Sequence, residues 1–172
     1  MRAYMVERPE GEFRAVDLPR PVPAAGQVLV RVMASGINPL DTKIRAGKAA
    51  HAQQPLPAVL GLDMAGLIED TGPGVTAFRK GDAVYGMIGG VGGLQGTLAE
   101  LVIADPQLLA PKPESLSMRE TAALPLGTIT AWEGIVDFQV RTVGLPGVRA
   151  AAVANAGAGK EGARRFIERT CI

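Results

Sequence analysis

The sequence predicts a mainly β fold in which short strands close into a partly open barrel, with a few short helices. Its 172 residues include 22 glycines and 13 prolines. A helical bundle would not tolerate that many, because each costs roughly 1 to 3 kcal/mol inside a helix. Between them lie short runs in which apolar and polar residues alternate, as is typical of strands joined by tight turns. The density of such strands indicates a barrel.

The first part of the chain predicts a hairpin, a long strand and a short helix. The stretches "RAYMVE" and "EFRAVDL" alternate on either side of "RPEG" and predict the hairpin. The segment "QVLVRVMA" (27–34) predicts a strand with Val28 on one face and Leu29 on the other. Residues 38–46 predict a helix, because Pro39 suits a first helical position after the turn "SGIN".

Further strands and two helices complete the pattern. The strands are predicted at residues 65–72, 82–88, 97–104 and 108–113. Ser117 and Glu120 fit a capping box that begins one helix, and Pro125 begins a second that extends to about residue 138. The predicted parts are a barrel domain (1–115), connecting helices (116–138) and a tail rich in Ala, Gly and Arg (139–172).

Composition narrows the class of protein. The net charge is +1 with acids and bases interleaved, and no basic stripe suggests a nucleic-acid partner. No apolar run approaches the roughly 18 residues of a membrane span, and the first residues lack the apolar core of a signal peptide. The single cysteine, Cys171, precludes an intramolecular disulfide. We expect a soluble, cytoplasmic protein that is not bound to a membrane.

Five motifs follow one another along the chain. They are "GINPLDTKIRAG" (36–47), "LGLDMAG" (60–66), "FRKGDAVYG" (78–86), "GTLAELV" (96–102) and "AALPLGTITAWEGI" (122–135). Their order and spacing resemble the medium-chain dehydrogenase/reductase superfamily, most of all its zinc-independent quinone oxidoreductase branch. The resemblance implies a GroES-like catalytic domain, normally followed by a Rossmann domain that binds NADPH, with the active site between them. It also implies a quinone or enone as the small-molecule substrate.

The residue types disfavour a zinc site. Catalytic zinc takes three protein ligands and structural zinc takes four, whereas this chain has one histidine, His51, and one cysteine 120 positions away. In the zinc-dependent members of the superfamily that the chain resembles, a cysteine stands at the position of Asn38 and a histidine at that of Leu62. We therefore predict no metal, and hydride transfer to an acceptor that is already activated, such as a conjugated carbonyl.

The candidate catalytic residues lie at the start of the predicted helix 38–46. Asn38 can donate a hydrogen bond from its amide to the acceptor carbonyl, and Asp41 can hold that amide or a nearby loop. Alternatives remain open for both residues. Asn38 tolerates the left-handed conformation of a turn, and Asp41 is an acid of the kind that favours a helix N-terminus.

Four further residues are candidate contacts of substrate or cofactor. Lys43 and Arg45 can favour an anionic oxygen or a phosphate, or they can belong to a solvated face. Tyr85 can line the cleft or belong to the core of its strand. The resemblance implies that Thr130 lies near the nicotinamide, with Asn38 beside it, although Thr130 can instead serve in helix packing. The quinone reductases that the chain resembles have an aromatic residue at the position of Lys43. The resemblance therefore does not itself imply a substrate contact by Lys43.

Two glycine-rich stretches do not predict a nucleotide site. "GGVGGLQG" (89–96) is followed by a strand where a phosphate site needs a helix N-terminus, so we expect a flexible loop over the cleft. "GAGKEG" (157–162) matches G-x-G-x-x-G, but no acidic residue follows about 20 positions later.

The chain departs from the resemblance past about residue 138. After Gly134 only 38 residues remain, too few for a Rossmann domain. Three explanations of this departure remain open: the chain is a fragment, it is a truncated or frameshifted product, or it is a protein with a non-catalytic role. We expect the chain by itself to be weakly active or inactive. The alternative function is a non-catalytic barrel for self-association, such as a homodimer, or for partner binding.

Overall fold

The computed structural model describes residues 1–133. The strands in this range are β1 (Arg2–Val6), β2 (Arg14–Asp17), β3 (Val28–Ser35), β4 (Ala58–Val59), β5 (Asp63–Thr71), β6 (Ala83–Met87), β7 (Leu101–Ala104) and β8 (Ala110–Pro111). The α-helices are α1 (Pro39–Arg45), α2 (Met118–Ala122) and α3 (Pro125–Trp132), and a 3₁₀ helix covers Pro106–Leu108. The predicted mainly β fold with short helices is confirmed. No helix within residues 1–133 is both long and apolar enough to cross a membrane.

Two antiparallel sheets build the barrel. One has the strand order β2-β1-β4, and the other has the order β7-β3-β5-β6-β8. The predicted hairpin is confirmed, since β1 and β2 pair from Arg2 opposite Asp17 onward. The two sheets meet at an isolated bridge between Ala3 and Ala99. The β3–β5 pair contains two register shifts, between Leu29 and Val30 and between Val32 and Ala34, of the kind that increases the local twist of a strand.

Three details of the strands differ from the sequence prediction. The predicted strand 97–104 begins at Leu101, because the backbone N–H of Thr97 instead donates to Gly61 O at 3.0 Å, outside the named strands. The predicted strand 108–113 shortens to β8, because the 3₁₀ helix ends at Leu108. Strand β4 was not predicted, since two residues are too few to show alternation.

The first residues of β3 are buried on both faces. Val28 lies in the barrel core and Leu29 on the opposite face, as predicted, but Leu29 is also only 1% exposed. Further along the same face Arg31 is exposed. Since β3 lies between β7 and β5, alternation along it identifies the two faces but not how deeply each is buried.

Two apolar clusters form the core. The first, inside the barrel, comprises Val28, Val30, Met64, Ile68, Val84, Ile88, Val102, Ala104 and Leu109. The second comprises Val6, Ile44, Ala49, Ala52, Ala58, Leu60, Leu62, Met87 and Val91, with Leu126 and Ile129 of α3 packed against it. The second cluster therefore packs α1 and α3 against the segment that precedes β5.

Gly36 allows α2 to approach the sheet closely. Its backbone N–H donates to Asp63 O at 2.9 Å. A Cβ atom at this position would lie 2.2 Å from Ala122 O and 3.0 Å from Asp63 Cβ. A side chain could be accommodated only if the end of α2 moved away. This close contact brings the end of α2 next to the residues that begin α1.

Candidate active site

Asn38 lies where β3 passes into α1. Its backbone is extended (φ −118°, ψ 157°), so the left-handed alternative is wrong, and it is the N-cap residue of the helix. The backbone N–H of Asn38 donates to Asp41 Oδ2 at 2.7 Å. Asp41 thus serves as the acid of the helix N-terminus, one of the two roles considered for it. The predicted helix is confirmed, with Pro39 at its first position.

A second acid, which sequence reasoning missed, holds the side chain of Asn38. Asn38 Nδ2 donates to Asp63 Oδ2 at 2.9 Å, and the same oxygen accepts the backbone N–H of Leu126 at 3.1 Å. Asp63 is 0% exposed, and within residues 1–133 its Oδ1 has no hydrogen-bond partner. The signal in the sequence was one acid inside the apolar motif "LGLDMAG", since buried acids are rare unless they are paired.

Burial makes both acids of the site harder to ionise. It raises the pKa of Asp63 from 3.8 to about 6, and the nearby Asp41 carboxylate adds to the rise, whereas the hydrogen bonds from Asn38 and Leu126 act against it. Burial also raises the pKa of Asp41, against the hydrogen bond from the Asn38 backbone. A carboxylate in such surroundings interacts strongly with any donor it faces, so Asp63 is well suited to orient the Asn38 amide.

The two basic residues of α1 have different surroundings. Lys43 is exposed. Arg45 donates from Nε to Gly11 O at 2.9 Å and from Nη2 to Glu10 O at 3.2 Å, and its guanidinium carbon lies 5.5 Å from the centre of the Phe13 ring. Arg45 therefore fastens the β1–β2 loop to α1, a structural role that the sequence did not predict. The substrate contacts proposed for both residues remain predictions.

Tyr85 shares a sheet face with Asp63. Strands β5 and β6 pair Asp63 with Met87 and Ala65 with Tyr85. Paired residues of antiparallel strands lie on the same face, as do alternate residues of one strand. Tyr85 is therefore one strand and two residues away from Asp63. It is half-buried, and burial raises the pKa of its phenol, so the hydroxyl keeps its proton at neutral pH. A substrate contact by Tyr85 remains a prediction.

Thr130 lies on α3 and is exposed. Leu126, four residues earlier, is on the same side of the helix and donates its N–H to Asp63. The structure therefore places Thr130 one helical turn from the residue that binds Asp63. Its contact with a nicotinamide remains a prediction.

Asn38 and Leu62 stand at the positions where the zinc-dependent proteins of the resembled superfamily carry Cys and His. Leu62 is 1% exposed and belongs to the second apolar cluster. Asn38 is bonded to a carboxylate. In the described part of the chain, no group of three or more His, Cys, Asp or Glu residues is placed to hold a metal ion.

The glycine-rich loop 89–96 is fastened to the segment before β4. Gly92 N donates to Gln53 O at 2.8 Å. The Gln54 side chain accepts from Gly93 N at 2.8 Å and donates to Leu94 O at 3.0 Å. The expected flexibility of this loop remains a prediction. In the structure these hydrogen bonds attach residues 92–94 of the loop to Gln53 and Gln54.

A cavity of about 490 Å³ lies between the loop after β1, the end of α1 and the segment before β4. Its lining residues are Glu7, Arg8, Pro9, Ile44, Gly47, Ala49, Ala52, Gln53, Gln54 and Leu56. Asn38 does not belong to this lining, so the cavity is distinct from the Asn38 site.

Residues 24–114 match the alcohol dehydrogenase GroES-like domain. The chain belongs to this family. The predicted GroES-like fold is thereby confirmed, and so is the resemblance to the quinone oxidoreductase branch of the medium-chain dehydrogenase/reductase superfamily.

Named relatives of this GroES-like chain are oxidoreductases. It is 42% identical over 132 residues to quinone oxidoreductase from Mus musculus, which covers 76% of this chain and 38% of the relative. It is 40% identical over 114 residues to NADPH-dependent alkenal/one oxidoreductase, chloroplastic, from Arabidopsis thaliana, covering 64% of this chain and 30% of the relative.

A solved structure, an alcohol dehydrogenase superfamily protein from Novosphingobium aromaticivorans, has 60% identity and a TM-score of 0.78, covering 80% of this chain and 42% of that chain. This chain thus spans about two fifths or less of the length of these three proteins. The division at residues 115 and 138 remains a prediction, and residues 134–172 lie outside the described range.

Proposed function

We propose that this GroES-like domain is the substrate-side part of an NADPH-dependent oxidoreductase that transfers hydride to the conjugated carbonyl of a quinone or an enone. The observation that carries the proposal is the Asn38 amide, oriented by the buried Asp63 at the start of α1. The relatives named quinone oxidoreductase and NADPH-dependent alkenal/one oxidoreductase support the substrate class and the cofactor.

Asn38 has the chemistry that such an acceptor needs. Its amide nitrogen carries two hydrogens, and the bond to Asp63 uses one of them. The second is the donor proposed for the carbonyl oxygen of the substrate, where negative charge develops as hydride arrives at the conjugated system. A donor held in place before the reaction need not reorganise during it. Asp41 supports this geometry through the Asn38 backbone.

NADPH supplies the hydride when it is bound. In the described residues, the exposed hydroxyl of Thr130 and the half-buried amide of Asn38 suit the polar carboxamide of a nicotinamide ring. Lys43, which is exposed on α1, is the proposed cation for an anionic oxygen, and Tyr85 is the proposed hydroxyl contact. Arg45 is the weaker candidate, because its guanidinium already binds carbonyls of the β1–β2 loop.

The proposed reaction needs no zinc. This rests on residue types, since Asn38 and Leu62 supply neither the thiolate nor the imidazole that catalytic zinc commonly uses. It also rests on the reaction, because a conjugated carbonyl accepts hydride more readily than an alcohol gives it up. The proposed location is the cytoplasm, which suits a chain with a single cysteine.

The test is NADPH oxidation by the purified 172-residue chain with a quinone or an enone. Because the chain spans a minor part of its relatives' length, the proposed rate is low, and the informative quantity is a ratio between variants. Asn38→Ala is expected to lower kcat/KM by about 100-fold, as for the loss of a donor to developing charge. Lys80→Ala, an exposed residue at the opposite end of β5, is the matched control.

A measurable wild-type rate that equals the rate in Asn38→Ala, for every quinone and enone that is reduced, would overturn the proposal. Titration with NADPH alone supplies a second measurement. Saturable micromolar binding supports the assigned cofactor, and its absence at millimolar concentration counts against a catalytic role for the chain by itself.

The second candidate function is a non-catalytic barrel that associates with a second copy. Ile37, beside Asn38, is 79% exposed, and Met33 on the adjoining strand is 53% exposed. The two residues are four positions apart in the chain, and a contiguous exposed apolar surface would favour an interface. Sedimentation equilibrium decides this: a dimer that dissociates in Ile37→Ser supports the second candidate, and a monomer at all concentrations opposes it.

A further inference from the structure

Helix α3 begins without a capping side chain of its own. Its N-cap residue, Leu124, makes no side-chain hydrogen bond, and Pro125 occupies the first helical position. Proline has no N–H, so Leu126 carries the first backbone donor of the helix. Asp63 Oδ2, 63 residues away in the chain, accepts this donor at 3.1 Å. A carboxylate at this end also interacts favourably with the helix dipole.

The same oxygen determines the orientation of the Asn38 amide. An ionised carboxylate can only accept hydrogen bonds, so the nitrogen end of the amide, rather than its oxygen end, must face Asp63 Oδ2. A protonated Asp63 could donate to the amide oxygen instead, and the amide would then be free to rotate by half a turn. The ionised form therefore selects one of two orientations of the group that is proposed to contact the substrate.

We propose that Asp63 is a positioning residue that couples helix α3 to Asn38 through one shared oxygen atom. This inference rests on the proposed function. Thr130 lies one turn beyond Leu126 on the same side of α3, and so the two residues proposed to face the nicotinamide are both located by Asp63. A displacement of α3 would move Asp63 Oδ2 and, with it, the Asn38 amide. A displacement of the Asn38 amide would likewise move the start of α3.

Among residues 1–133, few ionisable groups lie around this oxygen. Helix α1 contributes Asp41, whose charge acts on Asp63, and β6 contributes Tyr85 on the same sheet face. From β3 the Ser35 hydroxyl donates to the backbone oxygen of Asp63. Helix α2 presents the buried Thr121, while its charged residues Arg119 and Glu120 are exposed, and α3 contributes the Leu126 amide.

The test is a pH titration of the ¹⁵N-labelled 172-residue chain by NMR from pH 4.5 to 8. It follows the side-chain amide of Asn38, assigned by its absence in Asn38→Ala, and the backbone amide of Leu126. Both signals are expected to shift with a single shared midpoint, because one carboxylate binds both donors. Asp63→Asn keeps an acceptor oxygen but cannot ionise, so both shifts are expected to be lost. Asp70→Asn, which removes an exposed acid from the same strand, is expected to keep them.

Different midpoints for the two signals, or no titration of one of them, would overturn the coupling. So would titrations that persist in Asp63→Asn. If that variant fails to fold, the titration of the wild type decides by itself. A carboxyl group that merely filled space would not move both signals together.

Failure of the coupling is distinguishable from failure of the proposed function. Shared titration together with NADPH oxidation that Asn38→Ala leaves unchanged would leave the positioning role intact and remove the proposed role of Asn38 in the reductase. NADPH oxidation that depends on Asn38, with independent titrations, would keep the reductase and remove the coupling. Where the chain is active, Asp63→Asn is expected to lower kcat about 10- to 100-fold with little change in KM, because misplacement of Asn38 affects the reacting geometry.

Discussion

Replacement of Asp63 by asparagine measures how strongly the fold disfavours a charge between β5, α1 and α3. Burial raises the pKa of Asp63 from 3.8 to about 6, which corresponds to about 3 kcal/mol. Between these two pH values the folded protein keeps the proton and the unfolded chain has lost it. Stability therefore falls as the pH rises through this window and is constant above about 6.

The assay is urea unfolding of the wild type and of Asp63→Asn at pH values from 3.5 to 8. The free energy of unfolding of the wild type, relative to that of the variant, is expected to fall by about 3 kcal/mol between the ends of the window, with a slope of at most about 1.4 kcal/mol per pH unit. Taking the difference removes the contribution of acids that the two proteins share.

Two outcomes would refute this reasoning. A difference that is constant over the whole range means that Asp63 is not the acid that loses its charge on folding. A difference that rises with pH means that the hydrogen bonds from Asn38 and Leu126 outweigh burial. Asp70→Asn, which removes an exposed carboxylate from the same strand, is expected to follow the profile of the wild type.

Three further predictions follow from contacts in the fold. Gly36→Ala is expected to lower the free energy of unfolding by about 1 to 3 kcal/mol, because its Cβ would lie 2.2 Å from a backbone oxygen of α2. Gly127→Ala, where a Cβ atom would meet open space on α3, is expected to raise the free energy of unfolding by about 0.5 to 1 kcal/mol. If calorimetry showed that both glycine variants change the stability in the same direction, the close contact at Gly36 would be contradicted. Arg45→Ala is expected to lower the free energy of unfolding by about 1 to 2 kcal/mol, because it removes two hydrogen bonds to backbone carbonyls. The control Lys43→Ala, at an exposed residue of the same helix, is expected to lower it by less than about 0.5 kcal/mol. Equal losses in urea unfolding would argue against the fastening role of Arg45. Glu69→Gln is expected to destabilise the protein at neutral pH, with the difference vanishing as the pH falls toward 2, because hydrogen bonds from two arginines lower the pKa of Glu69 to about 2; a difference that persists below this pH would refute the assignment.

Local patterns in the sequence predicted the elements that depend on neighbouring residues. The hairpin of β1 and β2 follows from alternation around a turn, α1 follows from the proline after Asn38, and the capping box at Ser117 follows from a spacing of three residues. The order of the motifs predicted the family, because each motif can be read without knowledge of what packs against it.

Local patterns failed where a strand depends on its partners. Strand β4 is two residues long and exists because β1 offers it an edge. The predicted strand before Leu101 is missing, because that backbone bonds to Gly61 and its neighbour instead. Neither pairing has a signature within a short window of sequence.

The candidate site likewise has features that depend on neighbouring residues and features that depend on distant ones. That Asn38 begins a helix and that Asp41 lies in its first turn can be predicted from residues within four positions of each other. The contacts of Asp63 with the Asn38 amide and with the start of α3 required the folded structure, because those partners lie 25 and 63 residues away in the chain. A buried acid is tolerated where folding brings donors to it, and no local pattern records which donors arrive.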